Sequence, residues 1–181
     1  MEIKQGWLSD ARRVLSPNCD ARPGDENISL LVIHAISLPP GEFTGDAIDR
    51  LFTNRLDPDS HPYFREIYPL RVSSHLLIRR DGELVQYVPF GQRAWHAGVS
   101  QYQGRECCND FSIGIELEGS DQQPYEEAQY QVLNRVIAVL RQHYPAIGAN
   151  DIAGHCHIAP GRKTDPGPAF DWQRIAQPGS S

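Results

Sequence analysis

Apolar and polar positions divide the chain into segments of different period. Leu30, Leu31, Val32 and Ile33 form a short unbroken apolar run, half of it β-branched, that ends on His34. A run of this kind predicts a strand covered on both faces, with a histidine delivered at its end. Two alternating runs follow, 72–78 and 84–88, joined through Asp81 and Gly82. That pair tolerates positive φ and so predicts a tight hairpin. Between 111 and 117 the alternation is strict: Phe111, Ile113, Ile115 and Leu117 share one face, and Ser112, Gly114 and Glu116 the other. Glu116 then looks out over small neighbours. From about 125 to 144 the apolar positions Tyr130, Leu133, Ile137, Leu140 and Tyr144 recur at three and four residues. This predicts one amphipathic helix, with Glu126 and Glu127 at its start, Arg141 near its end and Pro145 stopping it.

The remaining segments lack a period. The first 28 residues, with Pro17, Pro23 and Gly24, read as an irregular lead-in on the surface. Residues 37–69 are rich in Pro, Gly, Asp and His around one short helix near 47–52, and a long insertion of this kind beside a site acts as a wall or a hinged flap. The stretch GHCHIAPGRKTDPGPAFDW closes the ordered part, and the residues from about Gln177 read as frayed. A length of 181 residues suffices for one substantial core but not for two ordinary domains. The expectation is one domain over 1–181, its core at about 28–173.

Composition narrows the classes. At 40% apolar and 22% charged the chain is of ordinary globular type, so packing arguments apply. A formal charge of −6 argues against nucleic acid or an anionic membrane as partner, since both require a dominating positive field. The amino terminus has no apolar stretch of signal-peptide length, which predicts a cytoplasmic protein whose Cys19, Cys107, Cys108 and Cys156 are free thiols.

There is no GxSxG elbow, no phosphate-binding loop and no HExxH helix. What stands out is His155 and His157, followed by Asp165, together with the separate His34 at a strand end. A hydrolytic zinc site takes three ligands from neutral imidazole or carboxylate and leaves one position open, and His34, His155 and Asp165 could supply them. In an extended segment His155 and His157 would point the same way, so spacing does not choose between them, and Cys156 lies between as a softer ligand. A cysteine hydrolase built on Cys156 and a neighbouring histidine is a second chemistry the sequence allows. On an extended backbone Lys163 and Asp165 would also point to one side.

The stretches LLVIHAISLPPG, HPYF, RVSSHLLIRRDGELVQYVPF, RAWHAGVSQYQGRE, CNDFSIGIELEG and GHCHIAPGRKTDPGPAFDW, in this order, closely resemble the AmpD family of anhydro-muramyl-L-alanine amidases. Their wider relatives are the peptidoglycan recognition proteins and the phage lysozyme-type amidases. The resemblance implies an α/β single domain with a central mixed sheet flanked by helices, the peptidoglycan-recognition-protein-like amidase fold. It implies one zinc ion per chain on His34, His155 and Asp165, with Glu116 and Lys163 as the catalytic pair. Glu116 would act as general base and then acid, in preference to Glu118, and Lys163 would stabilise the developing oxyanion. The implied substrate is a small muropeptide, cut between 1,6-anhydro-N-acetylmuramic acid and L-alanine during peptidoglycan recycling, with an indirect effect on β-lactamase induction. Candidates for holding it are Tyr63, Arg71 and Trp95. His75 is expected near the site without coordinating; His96 orients a ligand, carries a substrate hydrogen bond or is a satisfied structural imidazole. A monomer is expected. The chain departs from the family pattern at Ala35, where Asn is common, and at Cys107, where Arg occurs. A muropeptide-binding module that does not cut its ligand is the alternative of the same fold.

Overall fold

The computed structural model describes residues 1–24 and 27–175; the tail read as frayed from Gln177 lies outside them. Six strands form the main sheet: β1 (Arg12–Arg13), β2 (Leu30–Ile36), β3 (Leu76–Ile78), β4 (Leu84–Gln86), β5 (Ser112–Glu118) and β6 (Ile152–Gly154). Their spatial order is β6-β2-β5-β3-β4-β1. The hairpin β3–β4 is antiparallel and every other pairing is parallel, so the sheet is mixed, as expected. The hairpin turn is wider than a two-residue loop: Arg79 N donates to Glu83 O, leaving Arg80, Asp81 and Gly82 at the tip, with Gly82 at φ +87°.

The adjacent inner strands β2 and β5 are the apolar and alternating runs; β5 is buried along its whole length and β2 from Leu30 to His34, with Ala35 and Ile36 half-buried at its end. Leu31 and Ile33 of β2 and Ile113, Ile115 and Leu117 of β5 face helix α3 (Glu127–His143), whose Tyr130, Leu133, Val136, Ile137 and Leu140 complete that core. Glu126 caps α3 with Gln129 in a reciprocal box, which satisfies backbone donors that the first turn leaves open. The opposite face of the sheet is less uniform. Leu30 and Val32 pack there with Ala97, Cys108, Phe111 and Ile158. Further along, Leu77 and Val85 meet the segment of helices α1 (Ala47–Phe52) and α2 (Phe64–Ile67) through Leu38, Ile48, Leu51, Phe52 and Phe64.

The amino-terminal lead-in is more regular than its sequence suggests. Its β1 pairs with β4 at the sheet edge, and Cys19–Ala21 pairs antiparallel with Gln92–Ala94. Two-residue strands are too short to show alternation, so their periodicity is silent. They are held by partners instead: Arg12 reaches both Asp49 and Glu83. Among the described residues no helix is long and apolar enough to cross a membrane, and all four cysteines are unpaired.

Candidate active site

The site lies on the sheet face opposite α3, where the carboxyl ends of parallel strands meet the loops that follow them. In the parallel register of β2 and β5, Glu116 stands beside His34. Both alternate away from the α3 face, so one strand pairing brings together two residues 82 positions apart. His155 arrives from the neighbouring strand, because β6 ends at Gly154 and short helix α4 (His155–Ile158) begins at once. This corrects the expectation of an extended segment. The helical turn sends His155 inward and buried, while His157 is exposed and accepts a hydrogen bond from Gly154 N at 2.9 Å. The fold therefore separates two imidazoles that spacing alone leaves equivalent.

After α4 the chain turns instead of running extended, with Arg162 N and Lys163 N both donating to Ala159 O. It returns so that Cys156 N donates to Asp165 O at 2.9 Å. Tyr125 Oη donates to Pro166 O at 2.8 Å and Ala169 N to Asp121 O at 3.2 Å, pinning this loop to the one that follows β5. Gly167 sits at φ +79°, and a Cβ there would lie 2.3 Å from the Asp121 Cα. Only glycine admits this approach.

The result is a triangle of donor atoms. His34 Nδ1 and His155 Nδ1 are 3.0 Å apart, and each is 3.2 Å from Asp165 Oδ2. Tetrahedral zinc with bonds of 2.0–2.2 Å holds its ligand atoms about 3.3 Å apart, so the triangle has the size of one tetrahedral face. His155 Nε2 lies 3.1 Å from the Ala97 carbonyl oxygen, which can only accept. The ring proton therefore sits on Nε2, and Nδ1 turns a bare lone pair toward His34 and Asp165. Burial holds the His34 imidazole down, at about 4, so it is neutral near pH 7. Two imidazoles and a carboxylate converging on one point form a donor set suited to a divalent cation, and zinc fits its nitrogen and oxygen composition. Cys156 lies outside this triangle.

Glu116 is 8% exposed, and its Oε2 has no hydrogen-bond partner. Burial, followed by repulsion from Asp165, pushes this carboxyl well above its ordinary 4.5, and nearby Lys163 opposes the rise. Its rival Glu118 is otherwise engaged: Arg79 Nη1 donates to it at 3.1 Å and Arg80 N at 3.2 Å, away from the site. Glu116, Lys163, His34, His155 and Asp165 all line one cavity of about 610 Å³. Cys156 does not line it, and burial raises the Cys156 thiol, which leaves it protonated and a poor nucleophile near neutrality.

Trp95 and Tyr63 line the same cavity, with the Trp95 indole fixed by donation to Asp20 Oδ1 at 3.2 Å. Arg71 does not line it; its guanidinium donates to the carbonyls of Tyr68, Pro69 and Leu70 on the surface. Ala35 is part of the wall, whereas the exposed Cys107 belongs to a different concavity. The segment 37–69 supplies an apolar wall through Leu38, Leu51, Phe52 and Ile67, and Ser120, Asp121 and Thr164 make a polar end. Sequence reasoning missed that polar end, since its only signal is the Gly119–Ser120–Asp121 turn after β5. His75 is buried and does not line the cavity. His96 does, and its Nδ1 lies 2.9 Å from His34 Nε2.

Residues 24–168 match the family described as N-acetylmuramoyl-L-alanine amidase. The 1,6-anhydro-N-acetylmuramyl-L-alanine amidase AmpD of Citrobacter freundii is 67% identical over 97% of this chain and 93% of its own length. The crystal structure of a selenomethionine AmpD derivative superposes with a TM-score of 0.94 at 67% identity, covering 97% of each chain. The amidase AmiD of E. coli, solved with anhydro-N-acetylmuramic acid-L-Ala-D-γ-Glu-L-Lys, gives a TM-score of 0.62 at 32% identity, over 97% of this chain and 64% of that one. Sheet topology, the histidine and carboxylate cluster and these likenesses agree: the chain belongs to the N-acetylmuramoyl-L-alanine amidase family.

Proposed function

We propose that this protein hydrolyses the amide bond between 1,6-anhydro-N-acetylmuramic acid and L-alanine in muropeptides, with one zinc ion held by His34, His155 and Asp165. The observation that carries the reading is the triangle of His34 Nδ1, His155 Nδ1 and Asp165 Oδ2, 3.0–3.2 Å on a side, beside Glu116, whose Oε2 has no hydrogen-bond partner. A bound zinc ion supplies Lewis acidity, which lowers the pKa of water from about 15.7 toward about 7 and polarises a carbonyl.

The protein's own groups do the rest. Glu116, its carboxyl raised well above the ordinary value by burial, takes a proton from the attacking water and later delivers it to the departing alanine nitrogen. Protonation makes that nitrogen a neutral amine and so a competent leaving group. Lys163, at the cavity rim, presents an ammonium to the oxyanion that develops on the lactyl carbonyl. Trp95 and Tyr63 offer aromatic surface to the sugar, and Ser120, Asp121 and Thr164 offer polar contacts to the peptide. Arg71 reaches a stem-peptide carboxylate only by releasing its local carbonyls. The catalytic unit is a monomeric domain with its core at about 28–173, acting in the cytoplasm on recycled wall fragments.

The test is mass spectrometry of an anhydro-muramyl tripeptide incubated with the purified protein as isolated, after chelation and after zinc is restored. Expected are free tripeptide and anhydro-sugar, lost on chelation and regained with zinc. Substrate that survives with zinc present, while still binding, would identify a muropeptide-binding module instead. Insensitivity to chelators with loss on thiol alkylation would identify cysteine chemistry.

A further inference from the structure

We propose that His96 is a positioning residue for the metal centre: together with Ser112 it fixes His34 in the tautomer whose Nδ1 is free to bind a metal ion. The inference rests on the metal-site reading and concerns a residue that makes no contact with the other two ligand atoms of the triangle. It follows from counting protons along one chain of hydrogen bonds. The Ser112 hydroxyl donates to the Cys108 carbonyl and so spends its only proton. At 3.2 Å from His96 Nε2 its oxygen must accept, which places the His96 proton on Nε2. The neutral ring then has a bare Nδ1, and at 2.9 Å this accepts from His34 Nε2–H. The proton of His34 is thereby committed, and its Nδ1 lone pair is left facing His155 and Asp165.

The surroundings are shaped for this ring. A Cβ at Gly114 would lie 2.5 Å from His96 Cγ, so a strand residue with any side chain would displace the imidazole. Asn109 Oδ1 accepts from both His96 N (3.1 Å) and Ala97 N (2.8 Å), anchoring the backbone that carries it. The next residue sets the other imidazole, because the Ala97 carbonyl accepts from His155 Nε2. Two adjacent residues, one through its side chain and one through its carbonyl, therefore orient both metal-facing histidines. Partners of this kind set ligand orientation and basicity, and their loss lowers metal affinity about 10–100-fold.

The experiment compares zinc dissociation constants, by competition with a chromophoric chelator, for the wild type, His96→Leu, His96→Asn and Ser112→Ala. Circular dichroism and metal-free melting temperatures establish folding. Leucine fills the space with no acceptor and should weaken zinc binding about 10–100-fold. Asparagine places its Oδ1 where Nδ1 was and should recover most of that loss, which a merely space-filling role for His96 would not produce. Ser112→Ala, with the tautomer released, should fall between them. In the zinc-loaded wild type, NMR should show a scalar coupling across the His34 Nε2–H···Nδ1 His96 bond. Should His96→Leu fail to fold, the contrast between His96→Asn and Ser112→Ala decides. Unchanged affinity in folded His96→Leu, or equal losses in the asparagine and alanine variants, would overturn the inference. A wild type that takes up no zinc overturns the metal reading itself, and this inference with it.

Discussion

Glu116 illustrates what a residue gains from its place. On sequence alone a glutamate near a strand end reads as a solvated charge, and the alternation between 111 and 117 adds only which face it takes. In the fold that face is closed over, so the carboxylate is desolvated and has no partner at Oε2. Its raised pKa suits a group that must hold and release a proton near neutrality. Glu116→Gln keeps the volume and removes the base, so kcat should drop about 10²–10⁴-fold with zinc content unchanged. The direction of the pH effect follows from the same shift. The basic form is the active one, and because burial raises the pKa, kcat/KM should begin to fall with decreasing pH at a value well above 4.5. A glutamine variant within threefold of wild type, or an acid limb at the ordinary carboxylate position, would remove Glu116 from the mechanism.

At the scale of elements, the long or strictly alternating runs were legible because each is decided by its own pattern: β2, β5 and α3 stand within about two residues of where their periods place them, and the β3–β4 hairpin forms with strands shorter than the runs 72–78 and 84–88. The pieces that were not legible are short and are decided by partners. β1 exists through its pairing with β4, and α4 replaces an extended segment because β6 ends directly at its first residue. Site residues split the same way. His34 and Glu116 could be placed from strand patterns, whereas the choice of His155 over His157 needed a helical turn that four residues cannot announce. The loop that carries Asp165 depends on a close approach instead, with Gly167 at φ +79° against Asp121. Gly167→Ala should cost about 1–3 kcal/mol in strain and displaced backbone, read as a lower denaturation midpoint. Because Asp165 lies two residues away, zinc affinity should fall as well. Wild-type stability and affinity in this variant would mean that the loop yields and that Asp165 is held by other contacts.

For the molecule as a whole, building a cluster of neutral histidines into one face of the sheet has a cost that appears as pH-dependent stability. His75 makes the case most cleanly, since it lies outside the metal triangle. It is fully buried, its Nδ1 accepts from Gly114 N at 3.1 Å, and its Nε2 lies 3.0 Å from the Gln92 carbonyl. Burial, aided by the Arg22 guanidinium, lowers its pKa from 6.5 to about 3. Above the unfolded value of 6.5 neither state binds the proton and stability is independent of it. Between about 6.5 and about 3 the unfolded chain binds a proton that the folded chain refuses, so stability declines as the pH falls through that window. One such proton corresponds to about 1.4 kcal/mol per pH unit. His34 and His96 act in the same direction, while Glu116 and Glu118, whose carboxyls burial raises, oppose them. Three imidazoles against two carboxyls set the sign for the metal-free protein. Urea denaturation in the presence of chelator should therefore give a midpoint that falls between pH 7 and pH 5. His75→Asn, which retains an acceptor for Gly114 N but cannot be protonated, should be less stable at pH 7 through lost packing and yet show a shallower decline. Parallel declines in the two proteins would mean that His75 is not the proton-refusing group and that the acid sensitivity arises elsewhere in the fold.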